Sequence, residues 1–279
     1  MNFTHLYIIG NGFDLHYGVK SSYGDFLRYL EKRDENLYDL FFQLFPAEIW
    51  ENFEGALGLL KPGSLNQDVF GLIERDDESD FSWERESASY NYHLSAMEEE
   101  LDMEKINAVF SEWASQIDIS GVVPDSVIRD STDTLYMTFN YTLTLETVFG
   151  VDPDRILHIH GKIGDPRLVI GHAPVKESRL PPQQYYEQDE LEELRLRFTS
   201  WTEKPVQAII GEHEHWFEAL SSVEDVTVSG FSFSNVDLPY IQRVIECISP
   251  DAKWFVCKRP SDPPADVPMV GKVRTIPYP

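Results

Sequence analysis

Apolar and polar positions along the chain follow two rhythms. Leu6-Tyr7-Ile8-Ile9 is an unbroken apolar run that stops at Gly10-Asn11-Gly12, as expected of a strand covered on both faces of a parallel sheet. From Tyr23 to Phe45 the period changes. Phe26, Leu27, Leu30, Leu37, Leu40, Phe41 and Leu44 are spaced for amphipathic helices. Pro46 opens another candidate helix with Ile49, Trp50, Phe53, Leu57 and Leu60 on one face. Lys61-Pro62-Gly63-Ser64 breaks that pattern, and the acidic run Asp76-Asp77-Glu78-Ser79-Asp80 reads as a solvated loop. Helical spacing returns between Ser87 and Ile119 through Tyr90, Leu94, Met97, Leu101, Ile106, Phe110 and Trp113. Residues 31–129 are therefore read as a helical insertion between the first strand and the rest of a sheet.

The second half alternates. Strands are expected at Thr134–Phe139, Arg155–Ile159, Leu168–Ile170, Val206–Ile210, Asp225–Ser229, Lys253–Cys257 and Lys272–Ile276. Helices are expected at Thr142–Phe149, Pro182–Trp201, Glu214–Ser221 and Val236–Ile248. Such alternation predicts an α/β fold with a doubly wound, mostly parallel sheet. No internal repeat or low-complexity tract divides the chain, so one domain over 1–279 is expected, carrying the insertion at 31–129.

Composition narrows the partners. Among 279 residues, 48 acidic side chains face 23 basic ones, for a formal net charge of −25. That field disfavours general nucleic-acid binding and anionic membranes. It leaves room for a small anionic ligand, because charges beyond about 8 Å are screened at physiological salt. No apolar run reaches the roughly 18 residues of a membrane span, and no secretory leader is visible. Cys247 and Cys257, the two cysteines, build neither a disulfide framework nor a four-cysteine zinc site. A cytoplasmic protein is expected. His213 and His215 lie two apart, which does not suit ligation from one helix face; they read as a solvated helix start with no metal.

Four short stretches follow predicted strands, where open parallel sheets place their ligand crevice. They are Gly10-Asn11-Gly12-Phe13-Asp14, Phe139-Asn140-Tyr141-Thr142, His160-Gly161, and Gly230-Phe231-Ser232-Phe233-Ser234. Gly10 and Gly12 are read either as a tight turn or as a place where backbone amides approach a phosphate. Asp14 is placed to bond a ribose hydroxyl or to cap a helix, and Asn140 to cap one or to hold a water. His160 is a candidate general base with Gly161 leaving space beside it. His158 is expected to face away from it. Asp237 reads first as a helix cap and second as a ligand contact. Lys20, Arg28, Lys162 and Arg167 are candidates for a positive rim around a phosphate.

Together these stretches resemble the AbiH family of bacterial abortive-infection proteins. The likeness runs through Leu6–Asp14, Gly18, Ser22–Phe26, Trp50–Glu54, Phe139–Thr142, Ile159–Gly161, Gly171-His172, and Gly230 with Ser232, Asp237 and Tyr240-Ile241. More distantly, the same motifs are similar to those of the sirtuin-like NAD-consuming fold, although Thr142 replaces the motif aspartate and the cysteine-based zinc module is absent. That likeness implies a sirtuin-like, Rossmann-like site in which Gly10, Gly12 and Ser232 contact NAD, Asn140 holds the nicotinamide ribose or a water, and His160 acts as base. Asn11, Asp14, Gly161, Gly230 and Asp237 complete the expected nucleotide contacts. The implied activity is that of an NAD glycohydrolase answering a phage trigger, with NAD as substrate or ligand. The alternative is a nucleotide-binding sensor without catalysis. A homo-oligomer is compatible with the apolar faces of residues 87–119.

Overall fold

In a computed structural model, the residues described are 2–45, 53–60, 65, 83–128, 131–175, 186–259, 267–268 and 270–278. They divide into two compact units. One comprises Met1–Ser22, Ser111–Val169 and Pro205–Pro279, and the other Tyr23–Phe110 with Ile170–Lys204.

The first unit holds a six-stranded sheet. Its strands are β1 (His5–Ile9), β2 (Thr134–Thr138), β3 (Ile156–His158), β4 (Asp225–Ser229), β5 (Lys253–Lys258) and β6 (Val273–Pro277). All neighbours pair in parallel in the order β3-β2-β1-β4-β5-β6. This is a doubly wound α/β sheet, and the strand order reverses between β1 and β4. Both faces of the central strands are buried, which explains the unbroken apolar runs. Leu6, Ile8, Met137, Val226 and Val228 point into one cluster, with Tyr240, Ile241 and Val244. Tyr7, Ile9 and Tyr136 point into the other, with Phe13 and Leu145.

Two expected strands are absent. Val206–Ile210 lies in a helix, Val206–Glu212. Val206, Ile209 and Ile210 are buried while Gln207 and Ala208 are exposed, so the run keeps helical period despite its β-branched residues. Burying three such side chains at about 1.5–3 kcal/mol each outweighs a β preference that spans about 1 kcal/mol. Leu168–Ile170 forms no strand either. The chain turns back at 161–165, and the Val169 amide donates to the His160 carbonyl, so this backbone is satisfied locally.

The second unit is helical, with Tyr23–Arg33, Glu35–Leu44, Phe53–Leu57, Trp83–Glu100 and Tyr186–Trp201 among its elements. Asp34 splits the apolar stretch from Tyr23 onward into two helices, its carboxylate accepting from the Leu37 amide as an N-cap. Phe26, Phe41 and Phe53 stack edge-on or tilted in its core. Two ion pairs are buried here among the described residues. Lys204 Nζ lies 2.8 Å from Glu54 Oε1 and Arg195 donates to Glu192 at 2.8 Å. The His172 ring bonds the carbonyls of Ala173 and Thr199. The acidic run 76–80 and the expected helix start at Pro46 lie outside the described residues.

Candidate functional site

The parallel register makes four strands end level. Ile9 pairs with Thr138 and Ser229, and Thr138 pairs with His158. The loops carrying Gly10, Asn140, His160 and Gly230 therefore leave the sheet at one height, across the point where strand order reverses. Hydrogen bonds stitch their first residues: Gly10 donates to Ser229 O, Phe139 to Ile9 O and Ile159 to Thr138 O.

Glycine is required here by a close approach of two loops. Gly12 N donates to Gly230 O at 2.9 Å. A Cβ on Gly10 would stand 2.6 Å from Gly230 O, and one on Gly230 only 1.9 Å from Phe13 N. Gly230 is also left-handed, at φ 64°. The amides of Gly10, Gly12 and Phe13 are thus engaged by backbone carbonyls, which accords with the tight-turn reading of these glycines. Asn11 is committed as well: its amide donates to Ser21 O at 2.9 Å and accepts from Ser21 Oγ at 2.6 Å.

Past the glycines, Asp14 is fully buried. Thr142 Oγ1 donates to its Oδ2 at 2.5 Å, and Thr144 Oγ1 reaches Thr142 at 3.0 Å. Burial pushes the Asp14 carboxyl above its ordinary range, against the opposing pull of hydrogen bonds from Thr142, Thr144 and Asn140 and of the His158 ring. Asp14 is thus no exposed cap but the centre of a buried polar cluster. Asn140 is not a cap either, because the helix Thr144–Thr147 has Leu143 in that position. Asn140 is 6% exposed, and its Oδ1, like Asp14 Oδ1, is buried with no hydrogen-bond partner. Such buried orphan acceptors are uncommon and point to a polar guest.

Two histidines flank Asn140 with different neighbours. His158 Nδ1 bonds the Asn140 carbonyl at 3.0 Å and its Nε2 bonds Glu146 Oε1 at 2.8 Å. Both partners are acceptors, so each of these bonds needs a ring N–H. His158 received no role from the sequence. Its signal there was only a short distance from Asn140 and His160, and strand alternation stops being a guide because β3 ends at His158.

His160 is 3% exposed. Its ring meets Phe139 and Tyr240 edge-on at 5.3 and 5.6 Å, and its Nε2 lies 3.6 Å from Asp237 Oδ1. Asp237 stands at the N-terminus of the helix Leu238–Cys247 without capping it through its side chain. Its other oxygen accepts from Ser234 Oγ at 2.8 Å, and the carboxylate serves the imidazole instead. A carboxylate beside an imidazole favours the imidazolium formed when the ring takes a proton. Ser232 is exposed, and between it and Ser234 stands Phe233 at φ 55°, a left-handed conformation that a bulky residue rarely adopts. Gly161, at φ 79°, makes the turn in which Lys162 N bonds Asp165.

Of the expected positive rim, Lys162 pairs with Asp165 at 3.6 Å and Arg28 with Asp25 at 2.6 Å. His213 closes one short helix and His215 pairs with Glu218 at 3.2 Å. Burial lifts the Cys257 thiol to about 11, which keeps it from acting as a nucleophile.

Fold and site together define a doubly wound α/β protein with a buried acid–amide–imidazole cluster at its topological switch point. The family description "Bacteriophage abortive infection AbiH" matches residues 6–258, and the chain belongs to the AbiH family, which ties it to bacteriophage abortive infection. No curated protein and no solved structure matches the chain significantly. Among the described residues no helix is long and apolar enough to cross a membrane.

Proposed function

We propose that this AbiH protein hydrolyses NAD at the switch-point cluster, inside the cell and in response to phage. One observation carries the reading: His160, backed by the Asp237 carboxylate at 3.6 Å, lies on the same strand-end rim as Asn140, whose buried Oδ1 has no partner. Nucleotide substrates of open α/β sheets bind at that rim.

In the proposed reaction the bond between nicotinamide and ribose breaks first. Its electron pair leaves with the ring, converting the pyridinium to neutral nicotinamide, so little acid assistance is needed. A water held by the Asn140 carboxamide then adds to the oxocarbenium carbon, and His160 takes the water's proton. Asp237 stabilises the resulting imidazolium. With the Gly10, Gly12 and Phe13 amides engaged by carbonyls, the pyrophosphate takes its donors from other groups around the rim.

The test is release of free nicotinamide from NAD by purified protein, beside Asn140→Ala and His160→Ala, with growth arrest on expression followed in parallel. Loss of turnover in both variants supports hydrolysis. NAD binding with no nicotinamide released, in a protein still able to arrest growth, favours a nucleotide sensor. Turnover at the parental rate in His160→Ala removes that residue from the chemistry.

A further inference from the structure

The opposite edge of the same sheet holds a cavity. It measures about 400 Å³ and lies at the N-terminal ends of β5 and β6, where Lys253 opens one strand and Arg274 stands near the start of the other. Ile245, Ile248 and Val270 supply an apolar wall. Three cations line it, Lys253, Lys272 and Arg274, against one acid, Asp251.

That composition runs against the whole chain, where acids outnumber bases by 48 to 23. Lys162 and Arg28 follow the general pattern and find carboxylate partners. Lys253, Lys272 and Arg274 do not. Among the described residues none of the three has a side-chain hydrogen bond or ion pair. The helix Leu238–Cys247 ends beside the cavity, and its carbonyl end favours a cation nearby. A helix end acts within its last turn, so it accounts for one cation and leaves those of the β6 segment unexplained. The three cations concentrate positive charge around one cavity, which an anion there would complement.

We propose that this cavity is a binding site for a small phosphomonoester carried on an apolar body. The guanidinium and two ammonium groups match a dianionic phosphate, and the isoleucine and valine side chains match the apolar part. The size falls within the range of small-molecule sites, roughly 300–1,000 Å³. The site stands at the opposite sheet edge from His160 and Asn140, so it holds whether or not NAD is the substrate there.

The experiment titrates the full-length protein with phenyl phosphate at 0.15 M salt, following the methyl resonances of Ile245, Ile248 and Val270 and the binding heat. Inorganic phosphate and a short oligothymidylate are run alongside, and Lys272→Gln/Arg274→Gln is compared with the parent. All three cationic side chains are exposed, so the variant should keep the fold, which its thermal midpoint verifies. Expected are saturable shifts confined to those methyls, at least tenfold weaker affinity in the double variant, and weaker binding of inorganic phosphate because it lacks an apolar body. No saturation, or saturation equal in parent and variant, overturns the proposal. Tighter binding of the oligothymidylate at the same methyls overturns it too, assigning the cations to a nucleic-acid backbone.

Discussion

Thr142 Oγ1 donates to Asp14 Oδ2 at 2.5 Å across 128 positions of sequence. The bond joins the short helix Asn11–His16 after β1 to the loop after β2 and fixes a fully buried carboxyl group. Its consequences for stability have a definite sign. Burial raises the Asp14 pKa above its ordinary 3.8, so the group favours the folded state below that value. The contribution is lost as pH rises through the folded-state pKa. Asp14→Asn keeps the acceptor for Thr142 and removes the titration. Denaturant midpoints measured from pH 4 to pH 8 should show the variant gaining on the parent as pH rises. A constant difference across that range contradicts this account.

His160 and Asp237 should separate into two grades of effect. A general base contributes about 10²–10⁴-fold, and His160→Ala should lower nicotinamide release by that much. Asp237 stands 3.6 Å from the imidazole and acts on the imidazolium by charge, an effect of about one to two powers of ten at such separations, so Asp237→Asn should cost about 10–100-fold. Equal losses from both substitutions would argue that Asp237 acts on substrate itself and not through the imidazole.

Gly230 and Gly18 both have positive φ, 64° and 77°, yet they should respond differently to alanine. Gly18 has nothing within 4 Å of the new methyl, whereas Gly230 would place it 1.9 Å from Phe13 N. Gly18→Ala should cost about 1 kcal/mol for the backbone conformation alone. Gly230→Ala should cost about 3 kcal/mol or more, because the β1 and β4 loops must part. Chemical denaturation of the two variants gives the comparison, and similar values would mean the loops move apart easily.

Lys204 is fully buried against Glu54 at 2.8 Å. Removing one partner of a buried ion pair typically costs about 3–5 kcal/mol. Glu54→Gln should therefore lower the unfolding free energy by about that amount, and Glu54→Gln/Lys204→Met should recover much of the loss. A double variant no more stable than the single would show that Lys204 is compensated by other groups.

Much of this architecture was legible in the chain. Asp225–Ser229 was read to the residue, because a β-branched run was bounded by polar and glycine positions. The strand ends were legible because glycine and asparagine interrupt apolar runs there, and those interruptions led to Gly10, Asn140, His160 and Gly230. Val206–Ile210 was misread, since a run of five with four apolar residues fits either period until a neighbour decides which face is buried. The purpose of the glycines was also hidden: a sequence shows that a Cβ is missing, not which backbone fills the space.

By itself, then, the sequence determined the local rhythm: most of the strands and helices, where the chain turns, and which polar residues stand at strand ends. Tertiary structure decided the partnerships. The level register of four parallel strands brought Thr142 to Asp14, and the packing of the last long helix brought Asp237 to His160 instead of to its own helix end. Those choices depend on contacts between segments far apart in the chain, whose energies arise only after the sheet has assembled, so no local pattern encodes them.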